Sequence, residues 1–276
     1  MKAITPASQS KVATSNPIAI LCTFILQYTA VLRGPLESGR QRPASLAMML
    51  ILSVFLQLLM FILTYVVAAY DTIFPYKNII FVIHLFMTGV LIILSIVYAI
   101  PPVFLKGQKT QYLITILISQ NLFGVFFYLS AQFIIGEQRN ITEKSLLTFT
   151  FITLLVGILI FIITSIRFYI LLKGGQYRKG SKRDQVRSKL EFNIQSYLPM
   201  IIVTSVGLLF IIGYLVNVFG FAELETVMMM VLFILLFYTM LFVLPEQLVI
   251  LYCKYNFESF NFNKNGELKP LERKGA

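Results

Sequence analysis

The sequence predicts an all-α fold, a polytopic membrane helix bundle of six transmembrane helices with a shorter N-terminal helix that is interfacial or a seventh crossing. Three observations predict it. Of 276 residues 58% are apolar and 13% charged, with a mean hydropathy of +0.81; a soluble domain runs at roughly 45–50% and about 25%. The apolar residues gather in long runs at 46–70, 78–100, 111–135, 145–172, 196–219 and 222–244. Each run reaches the roughly 20 helical residues that a hydrocarbon core about 30 Å thick requires, with no ionised residue in its central turns. Barrel strands would be about half as long and would alternate polar with apolar, whereas a stretch such as 154–163 is apolar on every side.

The chain divides into an N-terminal region 1–45, a membrane domain 46–244 and a tail 245–276. Segment 17–32 is apolar but only 16 residues long, about 24 Å at 1.5 Å per residue. It reads as a helix on the inner surface, pinned by Arg33, Arg40 and Arg42; the alternative is a short crossing that places the N-terminus outside. Pro43 and Ser45 precede the first span. His84 in the second span shares a helical face with Thr88, Leu91 and Ser95, and Pro101-Pro102 stop that helix. The third span carries Ser119-Gln120-Asn121 at its midpoint, followed by Gly124, Ser130 and Gln132. Amides in hydrocarbon need partners, so this face turns toward other helices or a wet cavity. Gly124 would let a neighbouring helix approach closely.

Pro199 falls in the first turn of the fifth span, where a missing N–H costs least, and Thr204 and Ser205 add a polar centre. Glu223 and Glu225 open the sixth span, where carboxylates favour the positive end of the helix dipole. The sixth span is bounded at 244, and Pro245 at its inner end is expected to kink the chain, since an unbroken helix to Tyr255 would be about 51 Å long. Gln247 to Phe262 would then lie in the interface, with Glu246 at headgroup level near Arg167 or the basic loop. Tyr252, Tyr255, Phe257, Phe260 and Phe262 suit such a tail.

Charge supplies an independent test of this map. Twenty of the 23 Lys and Arg residues fall on one set of connections, and only Lys77, Arg139 and Lys144 on the other. The positive-inside rule therefore places both termini in the cytoplasm, and the plasma membrane is the expected location. The formal net charge of +11 reads as a topogenic signal and not as a nucleic-acid footprint. Loop 173–195 is its densest part, with Arg178, Lys179, Lys182, Arg183, Arg187 and Lys189. Each basic group near an anionic leaflet contributes about 1 kcal/mol, so the expected partners are the bilayer and its anionic headgroups, with a cytoplasmic partner subunit or a second copy of the chain next.

Catalysis and cofactors are not expected. No HExxH, GxSxG, CxxC or paired intramembrane carboxylate occurs, the near-match to a phosphate loop at 175–182 has its Lys-Ser order inverted, and a lone histidine cannot build a metal site. Asn140-Ile141-Thr142 matches a glycosylation sequon too close to the membrane to be used. Cys22 and Cys253 fall on the cytoplasmic side and read as reduced thiols. The candidate intramembrane polar or ligand-path residues are His84, Gln120, Asn121, Thr204, Ser205 and Glu246.

An inner-surface helix followed by six spans resembles in layout the permease subunits of some ATP-binding-cassette exporters, which implies a transport-related role as a small permease or an embedded accessory subunit. Seven crossings with an outside N-terminus would resemble heptahelical receptors. A non-transporting binding protein, such as a receptor or a self-protection protein, is the alternative.

Overall fold

A computed structural model describes residues 30–138, 141–174, 222–263 and 265–270. Among these the chain is all-helical, and five helices are long and apolar enough to cross a membrane. We number them α1 (Pro43–Ala68), α2 (Lys77–Ala99), α3 (Gln108–Gly136), α4 (Glu143–Lys173) and α5 (Ala222–Asn256). They correspond to the first four and the sixth predicted spans. The fifth predicted span, nearly all of segment 17–32 and the basic loop lie outside the described residues, so the expected count of six plus one is matched here by five.

The helix ends follow from local chemistry. Pro43 occupies the first turn of α1 behind an extended Arg42, so Pro43 and Ser45 are inside the helix they were expected to precede. Proline tolerates that position because its absent N–H would be unpaired there anyway. At Ile100 the backbone is extended (ψ 126°), the conformation a following proline imposes, and Pro101 then begins a short helix, Pro101–Lys106. Thr142 caps α4 by accepting from the Ser145 N–H, which gives the sequon threonine a structural role. At the opposite end of α1, Lys77 Nζ donates to the Ala69 carbonyl, a cation at a helix C-terminus.

Two of the helices contain a π-helical turn, at Leu63–Ala68 in α1 and at Asn121–Val125 in α3. Such a turn inserts an extra residue and re-aims the side chains that follow it. α3 is the central helix: half of its apolar window is buried, against 22–28% for α1, α2 and α4. α1 packs on α2, the first part of α3 packs on both, and the second part of α3 packs on α5 and α4. Gly157 lets α5 lie close to α4, since a Cβ there would sit 2.9 Å from Leu241 Cδ1. Gly124 is less demanding than expected, because its added Cβ would meet Met240 and Phe237 at ordinary distances of 3.8 and 3.9 Å.

The largest departure from expectation is at the C-terminal end of α5. Pro245 was expected to kink the chain into an interfacial segment after 244, whereas α5 runs as one helix through Pro245 to Asn256. The chain then turns back as a short 3-10 helix, Glu258–Phe260, and a two-residue bridge, Phe262 to Leu268. Phe257, Phe260 and Phe262 are buried in a cluster with Leu32, Leu36, Tyr112 and Ile116, while Tyr252 and Tyr255 remain exposed. The tail is thus a folded cap on the bundle, with only its tyrosines placed as interfacial aromatics. Arg33 likewise is buried and donates from Nη2 to the Lys269 carbonyl at 3.0 Å, so it fastens the tail and does not reach for lipid. Burial pulls its guanidinium below the ordinary arginine value, and Glu37 works against that.

Candidate functional site

α2 buries four residues, His84, Thr88, Leu91 and Ser95, the face that spacing predicts. Three helices converge on His84. From α1, the Tyr65 hydroxyl lies 2.9 Å from Nδ1; from α3, Asn121 Oδ1 lies 2.9 Å from Nε2. Both partners come from π-helical turns. Asn121 Nδ2 then donates to Thr88 Oγ1 at 3.3 Å and to Gln57 Oε1 at 3.4 Å. With the amide nitrogen donating to those two oxygens, Oδ1 accepts, and the imidazole tautomer protonated at Nε2 matches this arrangement. Tyr65 then donates to Nδ1, and a single neutral tautomer satisfies every one of these contacts.

An aromatic shell closes round the ring. Phe126 has its centroid 4.4 Å from that of His84, Tyr65 5.7 Å and Phe61 6.1 Å. His84, Thr88, Asn121 and Gln57 are all buried. Buried polar groups in hydrocarbon have no water to return to, so such a network holds its helices in one register. Its chemistry is that of a lock: both ring nitrogens are engaged, and none of five prominent cavities among the described residues is lined by His84, Asn121, Gln57 or Thr88.

The predicted candidates separate accordingly. His84 and Asn121 meet. Gln120, although adjacent in sequence, points the other way and donates from Nε2 to the Met240 carbonyl of α5 at 3.2 Å. Glu246 lies on a small cavity of about 80 Å³ between α4 and α5, together with Arg167 and Thr164, which agrees with the expected neighbourhood of Arg167. Thr204, Ser205 and the basic residues Arg178, Lys179, Lys182, Arg183, Arg187 and Lys189 fall outside the described residues.

Sequence reasoning missed Gln57 and Tyr65. The signal for Gln57 was present, since it is the only amide side chain in 46–70. Sequence reasoning named Ser130 and Gln132 but not their partners in a second polar belt toward the far end of α3, where Thr64 and Ser130 hydroxyls meet at 2.9 Å, Thr150 donates to Gln132 Oε1 at 2.9 Å, and Tyr128 pairs with Thr153 at 2.9 Å. Glu137 sits at that end beyond α3, its carboxyl raised above the usual range by burial and by the charge of Asp71.

At the start of α3 the amide of Gln108 grips the tail from both sides: Nε2 donates to the Phe262 carbonyl and Oε1 accepts from the Phe262 N–H, each at 2.9 Å. Gln111 Nε2 donates to the carbonyls of Pro43 and Tyr98 at 3.0 and 3.2 Å, joining α1, α2 and α3. Lys254, read from sequence as one more topogenic charge, is buried. Its Nζ donates to the Phe260 carbonyl at 3.1 Å and lies over the rings of Tyr112 and Phe262 at 5.3 and 5.4 Å. Cations over aromatic faces are favourable where water is excluded. Cys253 is buried beside it; Cys22 lies outside the described residues.

Among the described residues no group of three or more His, Cys, Asp or Glu side chains is placed to hold a metal ion. No family model, no curated protein and no solved structure matches the chain.

Proposed function

We propose that this chain is a membrane-embedded accessory subunit of a transport assembly, seated in the plasma membrane with its capped end and both termini in the cytoplasm. One observation carries the reading. Among the described residues, His84, Asn121 and Thr88, which a permease would offer to a passing solute, are instead engaged with one another or with Tyr65 and Gln57, with both nitrogens of His84 bonded and the ring wrapped by aromatics. A locked core of this kind suits a subunit that holds shape for a partner. The inner end, where Gln108, Lys254 and Arg33 fix a folded cap, offers a rigid cytoplasmic face for it. The reading assigns the chain no catalytic step and no cofactor.

The test is purification of tagged protein from its native membrane in mild detergent, with cross-linking at lysines, followed by reconstitution alone. A second membrane or nucleotide-binding chain at fixed stoichiometry, and no ion or proton passage by the isolated chain above empty vesicles, is the expected result. A chain that purifies alone and conducts alone overturns it. The closed core also fits a non-transporting binding protein, such as a self-protection protein or a receptor. Recovery of a soluble or toxin-like ligand in place of a subunit would favour that second reading.

A further inference from the structure

We propose that the groove between the Pro101–Lys106 turn and the folded tail binds a phosphate oxyanion at the inner membrane surface. The groove has a volume of about 540 Å³ and is lined by Lys106, Lys109, Lys269, Gln108, Tyr255 and Glu258, among others. Among the described lining residues the one carboxylate, Glu258, pairs with Lys269 and also lies in the field of Lys109. Three lysines against that carboxylate leave the cavity with two more cations than anions. Lys109 is pre-positioned: Nζ donates to the Tyr255 carbonyl at 3.3 Å and lies 5.6 Å from the centre of the Tyr255 ring, which leaves ammonium protons for a ligand. Lys106 is exposed at the end of its turn.

The walls are built and not incidental. Gln108 stands between the two lysines in sequence, and its paired hydrogen bonds to Phe262 fix the distance between the α3 side and the tail side of the groove. Tyr255 is half exposed at the rim, the position of an interfacial aromatic, so the groove opens where phosphodiesters of the bilayer lie. A cationic concavity with low-dielectric walls concentrates anions. The same chemistry would accept a lipid headgroup phosphate or a soluble phosphate. The inference stands apart from the accessory-subunit reading, since neither lysine belongs to the closed core.

The test compares wild type with Lys106→Gln and with Lys106→Gln/Lys109→Gln in nanodiscs of phosphatidylcholine with and without phosphatidylglycerol. Co-purifying lipid is measured by mass spectrometry, and melting temperature is measured with inorganic phosphate against chloride at matched ionic strength. Wild type is expected to enrich phosphatidylglycerol, with enrichment falling about fivefold per lysine removed while melting in pure phosphatidylcholine is unchanged. A lysine-dependent stabilisation by inorganic phosphate without lipid enrichment would support the oxyanion site and assign it to a soluble ligand. Absence of both effects in wild type, or their persistence in the double variant, overturns the proposal. Lys106→Gln, at an exposed position, keeps the test decisive should the double variant fold poorly.

Discussion

The imidazole of His84 and the amide of Asn121 meet at 2.9 Å between α2 and α3, and that contact decides what the midpoint of the third helix does. Asn121 is the hub, because its oxygen serves the ring and its nitrogen serves Thr88 and Gln57. Gln120 holds one backbone carbonyl of α5. The two neighbours therefore differ in what their loss leaves behind.

Asn121→Leu should strip partners from three buried side chains at once and destabilise the protein by about 2 kcal/mol, within the roughly 1–3 kcal/mol cost of stranding a buried polar group. Gln120→Leu leaves a single backbone oxygen and should cost about 0.6 kcal/mol, the average for interhelical hydrogen bonds in membranes. Unfolding in mixed micelles compares them; equal losses would mean that the amide network is not the lock described.

What was legible in the sequence was whatever a helical period alone determines. The face His84, Thr88, Leu91, Ser95 needs only regular α spacing, and α2 is regular throughout. Asn121 and Tyr65 sit in π-helical turns, which break that spacing, so no constant period could show that they converge on one ring. The tail was misread for a different reason. Pro245 was weighed as a kink that would send 247–262 into the interface, but tertiary contacts can carry a helix past a proline when its far side packs, and Ile250 and Cys253 share a buried cluster with Tyr112 and Ile116. The aromatics of 252–262 carried no information on which would turn inward. That choice is made by Gln108, 154 residues away from Phe262.

The glycines of α3 should respond in opposite directions. A Cβ on Gly136 would lie 2.2 Å from Thr72 Oγ1, a clash that moves the α1–α2 turn, so Gly136→Ala should cost about 1–3 kcal/mol. At Gly124 the same methyl makes ordinary contacts, and the gain in helix propensity of up to about 1 kcal/mol should leave Gly124→Ala neutral or stabilising. Thermal unfolding of the two variants checks this; a destabilised Gly124→Ala would show a tighter α3–α5 approach than the one seen.

Gln108→Leu removes both hydrogen bonds that hold Phe262. At about 1 kcal/mol net for each, amide exchange across 257–269 should accelerate by roughly tenfold or more, with α1 and α2 unaffected. Hydrogen exchange with peptide-level mass spectrometry reads it. Uniform acceleration over the whole chain would instead make Gln108 a global stability residue.

Acid should loosen the same cap in a defined window. The hydrogen bond and charge of Lys269 hold the Glu258 carboxyl below its usual range, with Lys109 adding a smaller effect against slight burial. A depressed folded-state value means the pair contributes fully above the ordinary carboxylate range and is lost as the pH falls through the depressed value. Titration of the Glu258 carboxyl by NMR should show a low midpoint that moves up in Lys269→Gln. The same midpoint in both proteins would remove the ion pair from the account of the cap.

Sidedness is the remaining premise, and two lysines test it without disturbing the core. Lys106 ends the turn after α2, and Lys144 opens α4 at the other end of the bundle; the charge distribution places the first inside and the second outside. Both are exposed, so cysteines introduced there, in a chain whose Cys22 and Cys253 are replaced by serine, should accept a membrane-impermeant maleimide at full rate once the membrane is opened. In intact cells only Lys144→Cys should react. The reverse pattern would turn the molecule over, placing the capped tail and the lysine groove at the exterior surface. Reaction at both positions in intact cells would mean that α2 and α3 do not span the bilayer as a pair. Because the groove, the cap and the docking face share one end of the bundle, this one measurement fixes the compartment of all of them.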